Sequence, residues 1–233
     1  MTEYVGAGIY SVSEASKLTH VSRQRIQRWL HGYTYTHKNQ MKVSPSVWAP
    51  HFPMIGGTYA LSFRDLLEVR FVDAFRKHRV GWKTLRRAAD AAMSLYKSSH
   101  PFSTQRFRTD GNTIFADLAT ETNEKVLLDL ARSQLAFSEV LSPYLYEGLE
   151  FRNDNVVRWW PLGTNRSVVI DPGLSFGQPV IKQRAIPTAS LYNAFKANKK
   201  QRAKETIEFV AAWYEVEVSA VQDAIDFERK ISA

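Results

Sequence analysis

Residues 10–33, YSVSEASKLTHVSRQRIQRWLHGY, leave little freedom in what they can fold into. Ser11 and Glu14 stand as S-x-x-E, the spacing at which a hydroxyl and a carboxylate reciprocally satisfy the free N–H groups at a helix start. The helix they open runs to about Leu18, and Thr19, His20 and Val21 interrupt it. Ser22 is a second N-cap, with Val21 and Ile26 spaced as a hydrophobic staple. That helix runs to about Leu30 and ends at Gly32. Ala15, Leu18, Val21, Ile26 and Trp29 or Leu30 would close the pair over one small core. Two short helices, a three-residue turn and a polar second helix fit a helix-turn-helix. The outward residues of the second helix are Arg23, Gln24, Gln27 and Arg28, with Arg25 near its start. Arg can fork onto a guanine edge or a phosphate, and Gln can pair with adenine. A capped helical hairpin with a solvated basic face would carry the same residues.

The charge is unevenly placed. Residues 1–118 hold 17 Lys+Arg against 8 Asp+Glu, and residues 119–233 hold 14 against 15. The whole excess of +8 therefore belongs to the first half. A basic module joined to a near-neutral one suggests a polyanion-binding half and a half with another task. An ordinary basic protein without a nucleic-acid role is the competing reading.

Further along, residues 34–59 mix Tyr, Thr, Lys, His and Pro and read as a loosely ordered hairpin wing. Lys38 and Lys42 could contact phosphate there. Residues 61–79 form a strong helix, capped by Ser62 and Asp65 and stapled by Leu61 and Leu66. Leu67, Phe71, Ala74, Phe75 and His78 recur on it at helical spacing. After Val80-Gly81 a helix from Trp82 to about Lys97 carries Lys83, Arg86 and Arg87 on one side. Residues 105–118 read as a β-hairpin turning at Asp110-Gly111 or Gly111-Asn112. An amphipathic helix is expected over 122–141 and a second hairpin over 149–160, around Asn153-Asp154-Asn155. A strand at 167–170, a Pro/Gly-rich stretch and helices near 188–198, 201–214 and 218–230 complete the chain, the last capped by Ser219 and Gln222.

Catalytic and metal motifs do not assemble. Gly173-Leu174-Ser175-Phe176-Gly177 matches G-x-S-x-G, but Pro172 precedes it and Pro179 follows, where the nucleophile elbow needs strand, turn and helix. These glycines read as turn residues. The histidines form no H-x-x-x-H or H-E-x-x-H pair, and the chain has no cysteine. No phosphate-binding glycine loop is present, so no enzyme, metal or cofactor is expected. The longest apolar run falls far short of the ~20 residues that span a bilayer. The first residues show no basic segment followed by an apolar one, so no signal peptide and a cytoplasmic, reducing setting are expected.

Residues 10–31 resemble the opening of MerR-type winged-helix regulators. LSFRDLLEVRFVDAFRKHRVGWKTLRRA is similar to the second helix pair of that fold, with Arg86 on its usual arginine. Where that family commonly has glycine in the two turns, this chain has His20 and Arg79. Residues 166–233 resemble the C-terminal domain of VapB-like antitoxins and of short proteins encoded beside PIN-like ribonuclease toxins. Asp171, Pro172, Gly177, Pro179, Ile181, Ile186, Pro187, Ala224 and Phe227 carry that likeness, whereas the pattern's Gly-Thr-Arg is Gln183-Arg184-Ala185. Together the two likenesses cover about two-thirds of the chain and resemble a VapB-type antitoxin.

The fold expected is mainly α with short β-hairpins. A MerR-like winged helix-turn-helix would occupy 1–118, a connecting helix and hairpin 119–165, and a small C-terminal helical, helix-turn-helix-like antitoxin or dimerisation domain 166–233. The resemblance implies operator DNA and a PIN-like ribonuclease toxin as partners, with autoregulation of the operon. A MerR-like regulator without a toxin is the alternative. A homodimer is expected, joined through helix 122–141 or through Val156, Val157, Trp159 and Trp160, unless these pack into their own core. The toxin pocket would be acidic, so the basic cluster Lys196, Lys199, Lys200, Arg202 and Lys204 is the candidate toxin contact. A solvated charged loop would look the same.

Overall fold

The computed structural model describes residues 6–54, 57–108, 111, 114, 145–198 and 203–233. The chain is mainly helical with short antiparallel sheets. It divides into two compact units, one of Tyr10–Glu147 with Phe151–Val156, the other of Met1–Ile9, Gly148–Glu150 and Val157–Ala233.

In the first unit, strand β1 (Tyr10–Ser11) leads into α1 (Val12–Thr19), and α2 (Arg23–His31) follows. Ser11 Oγ accepts the Glu14 N–H at 3.1 Å, and the Glu14 carboxylate accepts the Ser11 N–H at 2.8 Å. The capping box is therefore formed. Ser22 has an N-cap backbone, but its hydroxyl makes no capping bond. The staple holds instead, with Val21 and Ile26 both buried. The turn after α1 puts His20 at φ 56°, and the one after α3 (Phe63–Lys77) puts Arg79 at φ 63°. Both are left-handed positions, which explains why glycine suits them and why other side chains carry strain there.

Gly32 ends α2 at φ 71°, and a Cβ on it would lie 2.4 Å from the Ser44 carbonyl. The chain then forms the hairpin of β2 (Tyr33–His37) and β3 (Gln40–Ser44), in register from Tyr33↔Ser44 to His37↔Gln40. Lys38 and Asn39 both have positive φ, the signature of a two-residue type I′ turn. The hairpin is regular, where the sequence suggested loose order. Strand β4 (Ala60–Leu61) returns to pair with β1.

Helix α3 is buried almost all round. Leu66, Leu67, Phe71 and Phe75 enter the core, whereas His78 lies exposed at the end. Asp65 organises its start. Its carboxylate accepts from Trp48 Nε1 at 2.9 Å, from the Ser62 N–H at 2.9 Å and from the His51 N–H, and it meets His100 Nε2 at 2.9 Å. Burial pushes this carboxyl up, but the bond to His100, its charge and the Ser62 and Trp48 donors outweigh that and hold it below its ordinary value. One turn on, Glu68 accepts the N–H and hydroxyl of Ser103 at 2.9 Å each. Burial dominates there and raises its carboxyl to about 7, against the pull of His100 and Ser103.

Helix α4 (Trp82–Tyr96) buries Leu85, Ala88, Ala89 and Ala92. The hairpin expected at 105–118 is not formed in its described part, because residues 105–108, Gly111 and Ile114 are helical. Thr104 Oγ1 accepts the Phe107 N–H at 3.1 Å, capping the helix. Phe107 then meets Phe102 at 5.0 Å between ring centres, and Phe102 meets Phe75 at 5.2 Å. The local Asp-Gly turn signal loses to this cap and this aromatic contact. The helix expected over 122–141 lies outside the described residues.

A five-stranded antiparallel sheet has the order β5-β6-β7-β8-β9: Leu149–Arg152, Asn155–Trp159, Val168–Ile170, Pro179–Ile181 and Ile186–Pro187; its residues 151–156 are counted with the first unit and the others with the second. Asn153 and Asp154 have positive φ and make the tight turn of the first hairpin. Trp160, Val169 and Val180 pack together with Leu174 against them. Val156, Trp159 and Trp160 are buried and Val157 is half-buried, which corrects the reading of these four as an exposed association surface. Asp171, in the Asp-Pro step, accepts the Gly173 N–H at 2.8 Å and pairs with Arg158 at 2.6 Å. The G-x-S-x-G segment is a single 3-10 turn with Phe176 at φ 57° and no following helix. Helices α5 (Thr188–Ala197), α6 (Ala203–Tyr214) and α7 (Val218–Ser232) close the second unit. Ser219 is inside α7 and does not cap it, since Glu217 holds the N-cap position. Asp223 of α7 accepts the Ser167 N–H at 2.7 Å and pairs with Arg166, tying the helix to the foot of β7.

Candidate nucleic-acid interface

The 3.6-residue period of α2 sorts its residues into two faces. Ile26, Trp29 and Leu30 are buried, and Arg23, Gln24, Arg25, Gln27 and Arg28 are all exposed. The three apolar residues lock the helix from below, so the polar set is presented from a fixed platform. Arg25 Nη1 lies 3.9 Å from Asp73, and the Arg28 guanidinium sits 5.0 Å over the Tyr33 ring.

The hairpin of β2 and β3 is exposed along its length apart from a half-buried Ser44. Lys38 stands at its turn, and Lys42 lies opposite Tyr35. By strand alternation Tyr33, Tyr35 and His37 share a face with Gln40 and Lys42. Met41 and Val43, 81% and 71% exposed, line the other face beside Thr34 and Thr36.

The three cations expected on α4 differ. Lys83 is exposed. Arg87 is half-buried. Arg86 Nη2 donates to Ser44 Oγ and to the Pro45 carbonyl, each at 2.9 Å, and its guanidinium lies 5.4 Å over Trp82. Arg86 thus fastens the end of the hairpin to α4. This role has no local signal, since Ser44 is 42 residues away.

Of the candidate toxin contacts, Lys196 is exposed with its Nζ 4.5 Å over the Tyr192 ring, and Lys204 lies 3.9 Å from Glu208. Lys199, Lys200 and Arg202 lie outside the described residues. Sequence reasoning passed over Phe209 and Trp213 on α6, exposed by 38% and 65% with ring centres 5.7 Å apart. Their i,i+4 spacing was the available signal.

Among the described residues no group of three or more His, Asp or Glu could hold a metal ion, and no helix is long and apolar enough to cross a membrane.

No protein-family model matches the chain. It is 26% identical over 229 residues to a protein of Mycobacterium tuberculosis named "Putative antitoxin VapB45", across 94% of this chain and 92% of that one. Its fold is similar to the X-ray crystal structure of Rv2018 from Mycobacterium tuberculosis, with a TM-score of 0.69 and 21% identity over 93% of this chain and 97% of that one.

Proposed function

We propose that this protein is a DNA-binding antitoxin that reads its own operator and neutralises a PIN-like ribonuclease. The observation that carries the DNA part is the exposed row Arg23, Gln24, Arg25, Gln27 and Arg28 above a buried Ile26, Trp29 and Leu30. In this reading α1 and α2 are a MerR-like helix-turn-helix, and α2 enters the major groove as its recognition helix. The β2–β3 hairpin is the wing, with Lys38 and Lys42 on phosphates, and Lys83, Arg86 and Arg87 flank the backbone. Residues 166–233 are the antitoxin domain, and a homodimer reads two half-sites. Nearly full-length similarity to a protein named an antitoxin supports the toxin part. The activity is non-enzymatic, and the site of action is the cytoplasm.

The test has two arms. A mobility-shift assay on the DNA upstream of the gene should show a shifted band that weakens with Arg28→Ala. Co-expression with the product of the adjacent gene should restore growth and yield a complex on gel filtration. A shift without rescue leaves a regulator without a toxin partner, and no shift at low salt removes the DNA reading.

A further inference from the structure

Beside the outer face of α2 the first unit holds a pocket of about 380 Å³. That volume falls within the range of small-molecule sites. Four of its lining residues are cations, Arg25, Arg28, Arg76 and Lys77, against the single carboxylate Asp73. Asp73 is buried and already engaged by Lys77 at 2.7 Å and by Arg25 at 3.9 Å. One carboxylate cannot neutralise four cations, so the pocket keeps a positive balance and attracts anions.

The rest of the wall is aromatic: Trp29, Tyr33 and Trp82. Arg76 lies 4.6 Å over Trp82, and Arg28 lies 5.0 Å over Tyr33, which is itself 39% exposed. Guanidinium planes beside aromatic rings offer a stacking surface to a further flat group. Arg76 donates to the Val80 carbonyl, and the Arg28 guanidinium presents the fork that fits a phosphate. A simple anion would use the cations and leave the rings idle.

We infer that this pocket binds a free nucleoside phosphate, its phosphates on Arg25, Arg28 and Lys77 and its base against Tyr33. Duplex DNA can offer the same cations a phosphate, but its bases are stacked away and cannot reach the rings.

The probes are ADP, pyrophosphate and adenosine, titrated calorimetrically into the full-length protein. ADP should bind about tenfold tighter than pyrophosphate, since only ADP uses both the charge and the ring. Lys77→Gln should weaken ADP and pyrophosphate alike by about tenfold. Tyr33→Leu should weaken ADP and leave pyrophosphate unchanged. Both residues are exposed, so circular dichroism should show folded variants. No heat with millimolar ADP would overturn the proposal. So would equal affinity for ADP and pyrophosphate, which marks a plain cationic patch, or ADP affinity unmoved by either substitution. Loss of duplex binding in Lys77→Gln without any ADP binding would also overturn it, the pocket then being a backbone contact. Competition of ADP with operator DNA, through the shared Arg25 and Arg28, rests on the DNA reading above; the calorimetry does not.

Discussion

Arg86 on α4 donates from Nη2 to the hydroxyl of Ser44, the last residue of β3, at 2.9 Å. The same nitrogen reaches the Pro45 carbonyl, so one side chain closes the foot of the hairpin onto a helix. Every other side chain of the hairpin is exposed, and Ser44 itself is half-buried. Arg86→Ala should cost about 1–3 kcal/mol, the worth of hydrogen bonds from a charged donor. Amide exchange should accelerate in residues 33–44 more than in α3. Uniform acceleration through the first unit would show that the contact does not act on the hairpin.

Gly32 is the second constraint on the same loop. Its φ of 71° and the 2.4 Å approach of the Ser44 carbonyl leave no space for a Cβ. Gly32→Ala should destabilise by about 2 kcal/mol or more, from strain and a forced shift of backbone. Urea unfolding gives the number, and a loss under ~0.5 kcal/mol, the range of neutral surface changes, would mean that the turn relaxes freely.

Several features were legible because their causes are local. Ser11 with Glu14 and Ser62 with Asp65 form the reciprocal caps that their spacing implies. The starts of α1 and α3 follow from them. What the sequence hid depends on distant residues. Residues 105–108 are helical because Thr104 caps them and Phe107 meets Phe102, whereas Asp110-Gly111 by itself signals a hairpin. Trp159 and Trp160 resemble an exposed patch in the sequence, and Val169 and Val180, which pack against Trp160, lie after residue 166. The basic face of α2 was legible from its period. The pocket beside it was not, because its cations come from residues 25 to 77 on separate helices.

His20 and Arg79 occupy left-handed positions, at φ 56° and 63°. His20→Gly and Arg79→Gly should each relieve about 1 kcal/mol of strain, partly offset by the freedom glycine gains in the unfolded chain. A small net rise in the urea midpoint is expected for each. A clear fall would show that the native side chain makes a contact worth more than the strain.

Glu68 and Asp65 give opposite pH dependences. The Glu68 carboxyl is raised from 4.5 to about 7, so in the folded state it holds its proton where the unfolded chain has lost it. Its contribution is complete below about 4.5 and is lost as pH rises through about 7. Glu68→Gln should therefore gain stability relative to the wild type between pH 5 and pH 8, by up to ~3 kcal/mol. The Asp65 carboxyl is lowered, so its contribution is present at neutral pH and fades in acid. Asp65→Asn should be most damaging near neutrality, by about 3 kcal/mol, since Trp48, Ser62, His51 and His100 all converge on that carboxylate. Thermal melts of Glu68→Gln from pH 5 to pH 8, and of Asp65→Asn from neutral pH into acid below its ordinary 3.8, check the two signs; curves parallel to the wild type over those windows would contradict the assignment.

The most direct test of the whole account is fluorescence anisotropy with a labelled duplex from upstream of the gene, against an unrelated duplex, over a range of salt. Specific binding should be at least ~10³-fold tighter than non-specific binding. Arg28→Ala should lose about 1–3 kcal/mol and blur the preference. Lys42→Ala should weaken both duplexes alike and lower the salt slope by about one unit. Equal affinity for the two duplexes, or specific binding that none of the α2 substitutions weakens, would contradict it.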